Sequence, residues 1–140
     1  MSYVISASED NKYIILKYLV DFKREMTMRS IIEAHVLGEQ LEINRYLVDL
    51  TESRNRASAF TNYEFGYRDL GAQPAFNPAA RVALLTAPGD DSHDFLETVM
   101  LNAGFDVTMF KDRELAVQHR KKKDEQARGA GSAEGGRSGW

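Results

Sequence analysis

The chain has 140 residues, of which 43% are apolar, a net charge of −3 and no cysteine. Its length is that of one domain with a sizeable core, and its acidic balance argues against a general nucleic-acid binder, which needs a positive surface. The missing cysteines exclude disulfides, thiolate nucleophiles and zinc–thiolate sites. No apolar run approaches the roughly 20 residues of a membrane helix, and the first residues lack the features of a signal peptide. We therefore expect a cytoplasmic protein without a transmembrane segment.

A hairpin and a helix open the predicted fold. Residues 3–7 and 12–20 are β-rich runs, and the polar residues 8–11 between them are typical of a turn. The second run is apolar almost throughout, which indicates a strand covered on both faces over part of its length. After a charged connection over residues 21–25, a helix is predicted over residues 27–40. Its predicted apolar face consists of Met28, Ile31, Ile32, His35 and Val36.

Two strand–helix units follow. The third strand is predicted over residues 46–50 and the second helix over residues 58–70. A surface loop over residues 71–80 separates this helix from the fourth strand, predicted over residues 81–87. Asp91 or Ser92 is the expected N-cap of the third helix. The expected core face of the third helix consists of Phe95, Leu96, Val99 and Met100.

The last elements complete an α/β pattern. Gly104 is placed to end the third helix in a left-handed conformation; a fifth strand is predicted over residues 105–110 and, capped by Asp112, a last helix over residues 113–123. Strands that alternate with helices predict a mixed sheet of about five strands, in the order β-β-α-β-α-β-α-β-α. The domain is expected to span residues 1–123. Residues 124–140 are rich in Gly, Ala, Ser, Glu and Arg, which predicts a disordered tail.

The candidate ligand or partner surface lies where the predicted strands end. Carboxyl ends of parallel strands meet at one edge of a sheet, where ligands bind in α/β proteins. The polar candidates at this edge are Asp49, Thr51, Thr86, Asp90 and His93. Asp49 and Asp90, with Glu52 and Asp91, are either helix caps and loop acids or a cation or acid–base site. No motif combines a nucleophile with a base, and the histidines have no metal-ligand spacing, so we assign no catalytic residue, metal or cofactor.

Histidines and aromatic residues have structural as well as functional explanations. His35 is expected in the core or at its boundary, and His93 in the first turn of a helix, where it bonds solvent or a cap. Phe60, Tyr63 and Tyr67 recur three and four residues apart in the second helix. Together with Phe65 they form either a core face with one or two half-exposed rings, or an apolar pocket or dimer face between this helix and the sheet, because aromatic residues are enriched in pockets and interfaces.

Four segments together resemble the STAS domain superfamily, specifically the stand-alone bacterial proteins similar to sporulation anti-anti-sigma factors, whose architecture is shared with CRAL-TRIO lipid-exchange domains. They are the opening hairpin, YLVDLT at residues 46–51, RVALLT at residues 81–86 and GFDVTMFKDRELAV at residues 104–117. In these antagonists a serine at the start of the helix after the third strand is phosphorylated, which breaks partner binding. Ser58 falls near that position, so the resemblance implies it as a phosphorylation site.

The resemblance implies a non-enzymatic regulatory or ligand-sensing module. Two mechanisms stay open: binding of a protein partner around Ser58 and the second helix, with a homodimer as one form, or binding of a small hydrophobic ligand. A lipid-like carrier with an apolar cavity under Phe60, Tyr63 and Tyr67 is the alternative that CRAL-TRIO similarity suggests. An enzyme that uses Asp49, Asp90 or His93 as acid–base groups is the contrasting class.

Overall fold

The computed structural model describes residues 2–72 and 79–111. Five strands form one mixed sheet, which confirms the predicted α/β class. The strands are β1 (Tyr3–Ala7), β2 (Ile14–Tyr18), β3 (Arg45–Leu50), β4 (Arg81–Thr86) and β5 (Asp106–Phe110). Between them lie α1 (Arg24–Leu41), α2 (Ala59–Glu64), a π-helix (Phe65–Asp69), α3 (Leu70–Ala72) and α4 (Asp94–Asn102). The predicted last helix, its cap Asp112 and the predicted tail lie outside the described residues.

The strands stand side by side in the same order as in the sequence. β1 is antiparallel to β2, as the hairpin prediction required, whereas β2 to β5 are mutually parallel. Parallel neighbours must be joined by crossovers, and these nearly always turn to the right. When every step moves to the next strand in one direction, the crossover helices collect on one face of the sheet.

The main core lies between that face and the helices. Leu16 of β2, Val82 and Leu84 of β4 and Val107 of β5 share one cluster with Phe65, Leu70, Leu96 and Met100 from the helical side. A smaller cluster lies on the opposite face of the sheet, where Tyr13, Leu47, Ala83 and Leu85 are buried. Both faces of β3 and β4 are therefore buried, as expected for interior parallel strands. Among the described residues, no helix has the length and apolar composition to cross a membrane.

α1 differs from its prediction in extent and in its buried face. It begins at Arg24, inside the stretch predicted as a connection. Of the predicted apolar face, His35 is buried and Met28 and Ile31 pack partly buried against the core, whereas Val36 is 48% exposed. The buried face consists of Met26, Thr27, Ser30, Ala34, His35 and Gly38. Several of these side chains are small, which brings the helix axis close to the sheet: the Ser30 hydroxyl bonds the Tyr18 hydroxyl, and Gly38 lies against Tyr46.

α1 ends at a residue with a left-handed backbone. Glu42 has φ 59° and ψ 44°, its N–H donates to the Glu39 carbonyl, and the Ile43 N–H donates to the Gly38 carbonyl at 2.8 Å. A side chain with a Cβ in this conformation costs about 1–2 kcal/mol. We expect Glu42→Gly to raise the free energy of unfolding by about 0.5–1 kcal/mol, since glycine loses part of that gain to chain entropy. Urea denaturation measures it, with Glu42→Ala as the control that keeps the strain; equal stabilities of the two variants would contradict the explanation.

The second predicted helix is interrupted. Its first part, α2, has only six residues, and the Leu70 N–H then donates to the Phe65 carbonyl five residues earlier, which defines the π-helix. Gly66 allows this wider turn to approach α4, because a Cβ at Gly66 would lie 2.5 Å from Cγ1 of Val99. The predicted helix over residues 58–70 is therefore confirmed as a helical segment, but its middle is a π-helix instead of an α-helix.

Most of the predicted core face of α4 is confirmed, but its N-cap residue differs from the prediction. Leu96, Val99 and Met100 are buried, but Phe95 is 46% exposed, so its predicted core position is wrong. The N-cap is His93, without a side-chain cap bond, and neither Asp91 nor Ser92 takes that role. The end of α4 is as predicted: Gly104 has φ 96°, and the Phe105 N–H donates to the Met100 carbonyl in the manner of a Schellman motif.

Candidate functional site

Three aromatic side chains project from the helix that follows β3. Phe60, Tyr63 and Tyr67 are 71%, 50% and 38% exposed, and the rings of Tyr63 and Tyr67 lie 4.6 Å apart between centroids. We call these three residues the aromatic surface. They lie three and four residues apart along the helical segment, and none of them is buried in the core of the described residues. The buried aromatic residue of this segment is Phe65, whose ring packs edge-on against Phe22.

An ion pair fixes the π-helix to α1. Two nitrogens of Arg24 bond the two carboxylate oxygens of Asp69, the second pair at 2.9 Å. These bonds from Arg24 hold the pKa of Asp69 below its ordinary value. Bidentate pairs of this kind restrict geometry more than single surface ion pairs do. The segment that carries the aromatic surface is therefore held at its C-terminal end by a charged contact that spans 45 residues of sequence.

Two buried asparagines fix the N-terminal end of the same segment. Nδ2 of Asn55 donates to Oδ1 of Asn62 at 2.7 Å, and Nδ2 of Asn62 donates to the Ser58 carbonyl at 3.0 Å. The Asn55 N–H donates to Oγ of Ser92, which ties this loop to the one after β4. Sequence reasoning missed both asparagines. An asparagine inside a helix, such as Asn62, is unfavourable unless its side chain makes hydrogen bonds that compensate. Its position in the predicted helix was therefore the feature of the sequence that indicated a structural role.

Ser58 caps α2 and remains exposed. Its Oγ accepts a hydrogen bond from the Thr61 N–H at 3.1 Å, as expected of an N-cap serine. Its phosphorylation stays a prediction. Arg54 and Arg56 precede it with exposed side chains, of which Arg56 pairs with Asp21 at 3.1 Å.

His93 and Asp90 connect the loop after β4 to the loop after β3. His93 is 1% exposed and Asp90 3%, so the expectation that His93 bonds solvent or a cap is wrong. Nε2 of His93 lies 2.8 Å from the Ser53 carbonyl, to which it donates, and 3.7 Å from Oδ2 of Asp90. Burial alone would raise the pKa of Asp90, but hydrogen bonds from Ser92 and the nearby His93 and Arg54 lower it. Together, these noncovalent contacts join the loop after β3 to the loop after β4 through buried polar groups.

The other candidate acids do not join this pair. Asp49 lies on the opposite face of the sheet, next to Leu47 in alternation, and its Oδ1 accepts bonds from the N–H and hydroxyl of Thr51. Glu52 pairs with Lys17 at 2.9 Å. Over residues 2–72 and 79–111, no group of three His, Asp or Glu side chains could hold a metal ion. Thr86, also predicted here, is fully buried, and its hydroxyl has no partner among the described residues.

An apolar cavity of about 70 Å³ lies between the sheet and the helices. Of the residues predicted for the site, only His93 lines this cavity. The second helical segment contributes Phe65 to the lining, not the residues of the aromatic surface. None of Phe60, Tyr63 and Tyr67 lines this cavity of the described residues, so the pocket expected under them stays a prediction. The apolar walls include Leu16, Val48, Leu50, Leu84, Leu96 and Met100, and α1 contributes Ile31, Ala34 and His35.

Such a cavity is a cost to stability when it is empty. Protein cores usually leave few voids larger than a water molecule. The cavity also lies beside a π-helix, and π-helical turns are frequent at functional sites.

His35 forms one wall of the cavity and confirms its predicted core position. It is 7% exposed, its ring stacks on that of Tyr46 at 4.6 Å between centroids, and Nδ1 lies 3.0 Å from the Ile31 carbonyl. Burial lowers its pKa despite that hydrogen bond and the carboxylate of Glu39. Donation from Nδ1 to the carbonyl selects the neutral tautomer with the proton on this nitrogen.

The lowered pKa of His35 predicts a pH dependence of stability. A histidine whose folded pKa lies below its unfolded value of about 6.5 takes up its proton more readily in the unfolded chain. The free energy of unfolding should therefore be fully retained above pH 6.5 and fall as the pH drops through the window below it. His35→Phe keeps a ring next to Tyr46 and should remove this part of the dependence. Urea denaturation between pH 7 and pH 5 tests it, and identical slopes for both proteins would contradict it.

Comparison with protein-family models, with curated proteins and with solved structures finds no match for this chain.

Proposed function

We propose that this chain is a non-enzymatic regulatory module of the STAS-like kind that binds a protein partner through the aromatic surface. The observation that carries the proposal is the exposure of Phe60, Tyr63 and Tyr67 on one short helix segment. Aromatic side chains dominate the binding energy of protein interfaces, and three of them in one exposed segment are more than isolated surface hydrophobics require.

The positioning of this segment supports the proposal. Arg24 holds its C-terminal end, and the Asn55–Asn62 pair holds its N-terminal end, so the rings stand on a fixed support. Residues that are ordered before binding lose less conformational entropy when the complex forms. Arg54 and Arg56, just before α2, pair with Asp90 and Asp21, but their side chains stay 59% and 74% exposed. They therefore suit a partner that offers an apolar groove with carboxylates at its rim.

The alternatives receive less support from the geometry. The cavity of about 70 Å³ is well below the roughly 300–1,000 Å³ of ordinary ligand pockets, so a lipid-like carrier would need a rearranged core. For an enzyme, Asp90 and His93 are close together but buried, and Asp49 lies on the other face of the sheet. A second copy of this chain remains one form of the protein partner.

Site-specific photocrosslinking in cells tests the proposal. A benzophenone amino acid at position 60 should capture one discrete protein, whereas the same probe at Leu101, which is 49% exposed on α4, should not. With the captured protein purified, Phe60→Ala together with Tyr63→Ala should weaken its binding at least about tenfold at unchanged urea stability. Equal capture at both positions, or undiminished binding by the variant, would contradict the proposal. A crosslinked species of twice the chain mass would identify the partner as a second copy.

A further inference from the structure

The cavity beside the π-helix has walls that a bound molecule would meet almost only through carbon. Three of its polar neighbours bond the protein itself. The Tyr18 hydroxyl bonds Ser30, and Nε2 of His93 bonds the Ser53 carbonyl. Nδ1 of His35 bonds the Ile31 carbonyl. A ligand with hydrogen-bonding groups would lose its bonds to water on entry and gain few in return.

The cavity walls also disfavour a charged ligand. Burial raises the pKa of Tyr46 to about 12 and lowers that of His35, so both rings are uncharged at pH 7. Burial likewise raises the pKa of Tyr18. An ion that left water for this cavity would find no opposite charge on these three side chains to compensate its lost hydration.

The volume sets the size of the occupant. A cavity of about 150 Å³ lined by similar residues binds benzene or xenon, and such apolar cavities stay dry because water needs polar partners. The present cavity has about 70 Å³, which suits a molecule smaller than benzene. We propose that this cavity is a binding site for a small, uncharged, apolar molecule without hydrogen-bonding groups. The chain would then sense such a molecule inside its core, independently of any partner on the aromatic surface.

Xenon is the probe for a first test on the full isolated chain. Under rising xenon pressure, the NMR signals of the Leu84 and Leu96 methyl groups should shift and saturate, because both side chains line the cavity. The methyl groups of Leu85, the next residue on β4, should not shift, because Leu85 belongs to the cluster on the opposite face. Shifts that grow without saturation, or equal shifts of Leu84 and Leu85, would overturn the proposal.

Two substitutions of opposite effect make the test specific. Ala34→Val adds two carbons at the cavity wall and should weaken xenon binding at least about tenfold, whereas Ala83→Val on the opposite face should leave it unchanged. Leu84→Ala enlarges the cavity and should admit benzene, which the wild-type chain should bind at least about tenfold more weakly. Should Ala34→Val not fold, unchanged benzene binding by Leu84→Ala would overturn the proposal by itself. None of these measurements involves the aromatic surface. A negative result for the cavity would therefore leave the proposed partner binding untouched, and the reverse also holds.

Discussion

Replacing Phe65 by alanine should lower the free energy of unfolding by about 3–5 kcal/mol. The side chain is 1% exposed and packs edge-on against Phe22 at 5.3 Å between ring centroids. It also lines the existing cavity, so its removal enlarges a void instead of creating an isolated one. Because small domains are stable by only about 5–15 kcal/mol, a loss of this size is a large part of the total.

Phe60→Ala is the matched control for that change. It removes the same side chain five residues earlier, but Phe60 is 71% exposed, so the free energy of unfolding should change by less than about 0.5 kcal/mol. Guanidinium denaturation followed by far-UV circular dichroism measures both variants. Similar losses of stability for the two variants would contradict the role of Phe65 in the core.

Gly38→Ala should also destabilise the protein, by about 1–3 kcal/mol, although alanine is the better helix former. A Cβ at this position would overlap the Tyr46 hydroxyl oxygen and lie 2.8 Å from the Ile43 carbonyl oxygen. In an open helix the same change would stabilise by up to about 1 kcal/mol. The sign of the effect therefore reports how closely α1 approaches the sheet, and a stabilised variant would contradict the observed packing.

A double-mutant cycle separates the two atoms that crowd Gly38. Tyr46→Phe removes the hydroxyl and should cost little alone, because its bond to the Ile43 carbonyl is long, at 3.5 Å. Combined with Gly38→Ala, it should restore part of the lost stability, since residues in contact show coupling of about 0.5–3 kcal/mol. The part that is not restored measures the contact with the backbone carbonyl.

Strands were the most predictable part of this fold. β3 (RYLVDL) and β4 (RVALLT) are short, mostly apolar runs with buried residues on both faces, and such runs have few alternatives to an interior parallel strand. The hairpin followed from four polar residues between two β-rich runs. The order of the strands in the sheet could not be predicted from the sequence pattern, because hydrophobic periodicity indicates which face of a strand is buried but not which strand is its neighbour.

The helices show where hydrophobic spacing misleads. In α1 the buried face includes the small or polar residues Thr27, Ser30, Ala34 and Gly38, which apolar spacing does not identify. The predicted apolar face therefore overlaps the buried face only in part: His35 is buried and Met28 and Ile31 pack against the core, but Val36 is exposed. In the second helical segment, the exposed rings of Phe60 and Tyr63 have the same spacing as a core face. Sequence pattern cannot tell a buried aromatic stripe from an interface stripe, because both are apolar at helical period.

The location of the candidate site could be predicted from the sequence, but the contacts between its residues could not. The loops after β3 and β4 do meet, as expected for the carboxyl edge of parallel strands. That His93 would be buried against Ser53, or that Asp49 would face away from Asp90, depends on side-chain directions fixed by register and loop shape. The cavity was not visible in the sequence, since it arises from the space left between residues.

The order of the strands has a consequence for how the native protein opens. Each strand pairs only with its neighbours along the chain, which leaves β1 and β5 at the edges of the described sheet and β3 in its centre. Local unfolding should therefore proceed inward from the edges, with amide protons of β3 exchanging with solvent most slowly. The loop that leads into the aromatic surface leaves the carboxyl end of that central strand. The edge strands can therefore unfold locally while the proposed binding segment stays attached to β3, the strand expected to open last.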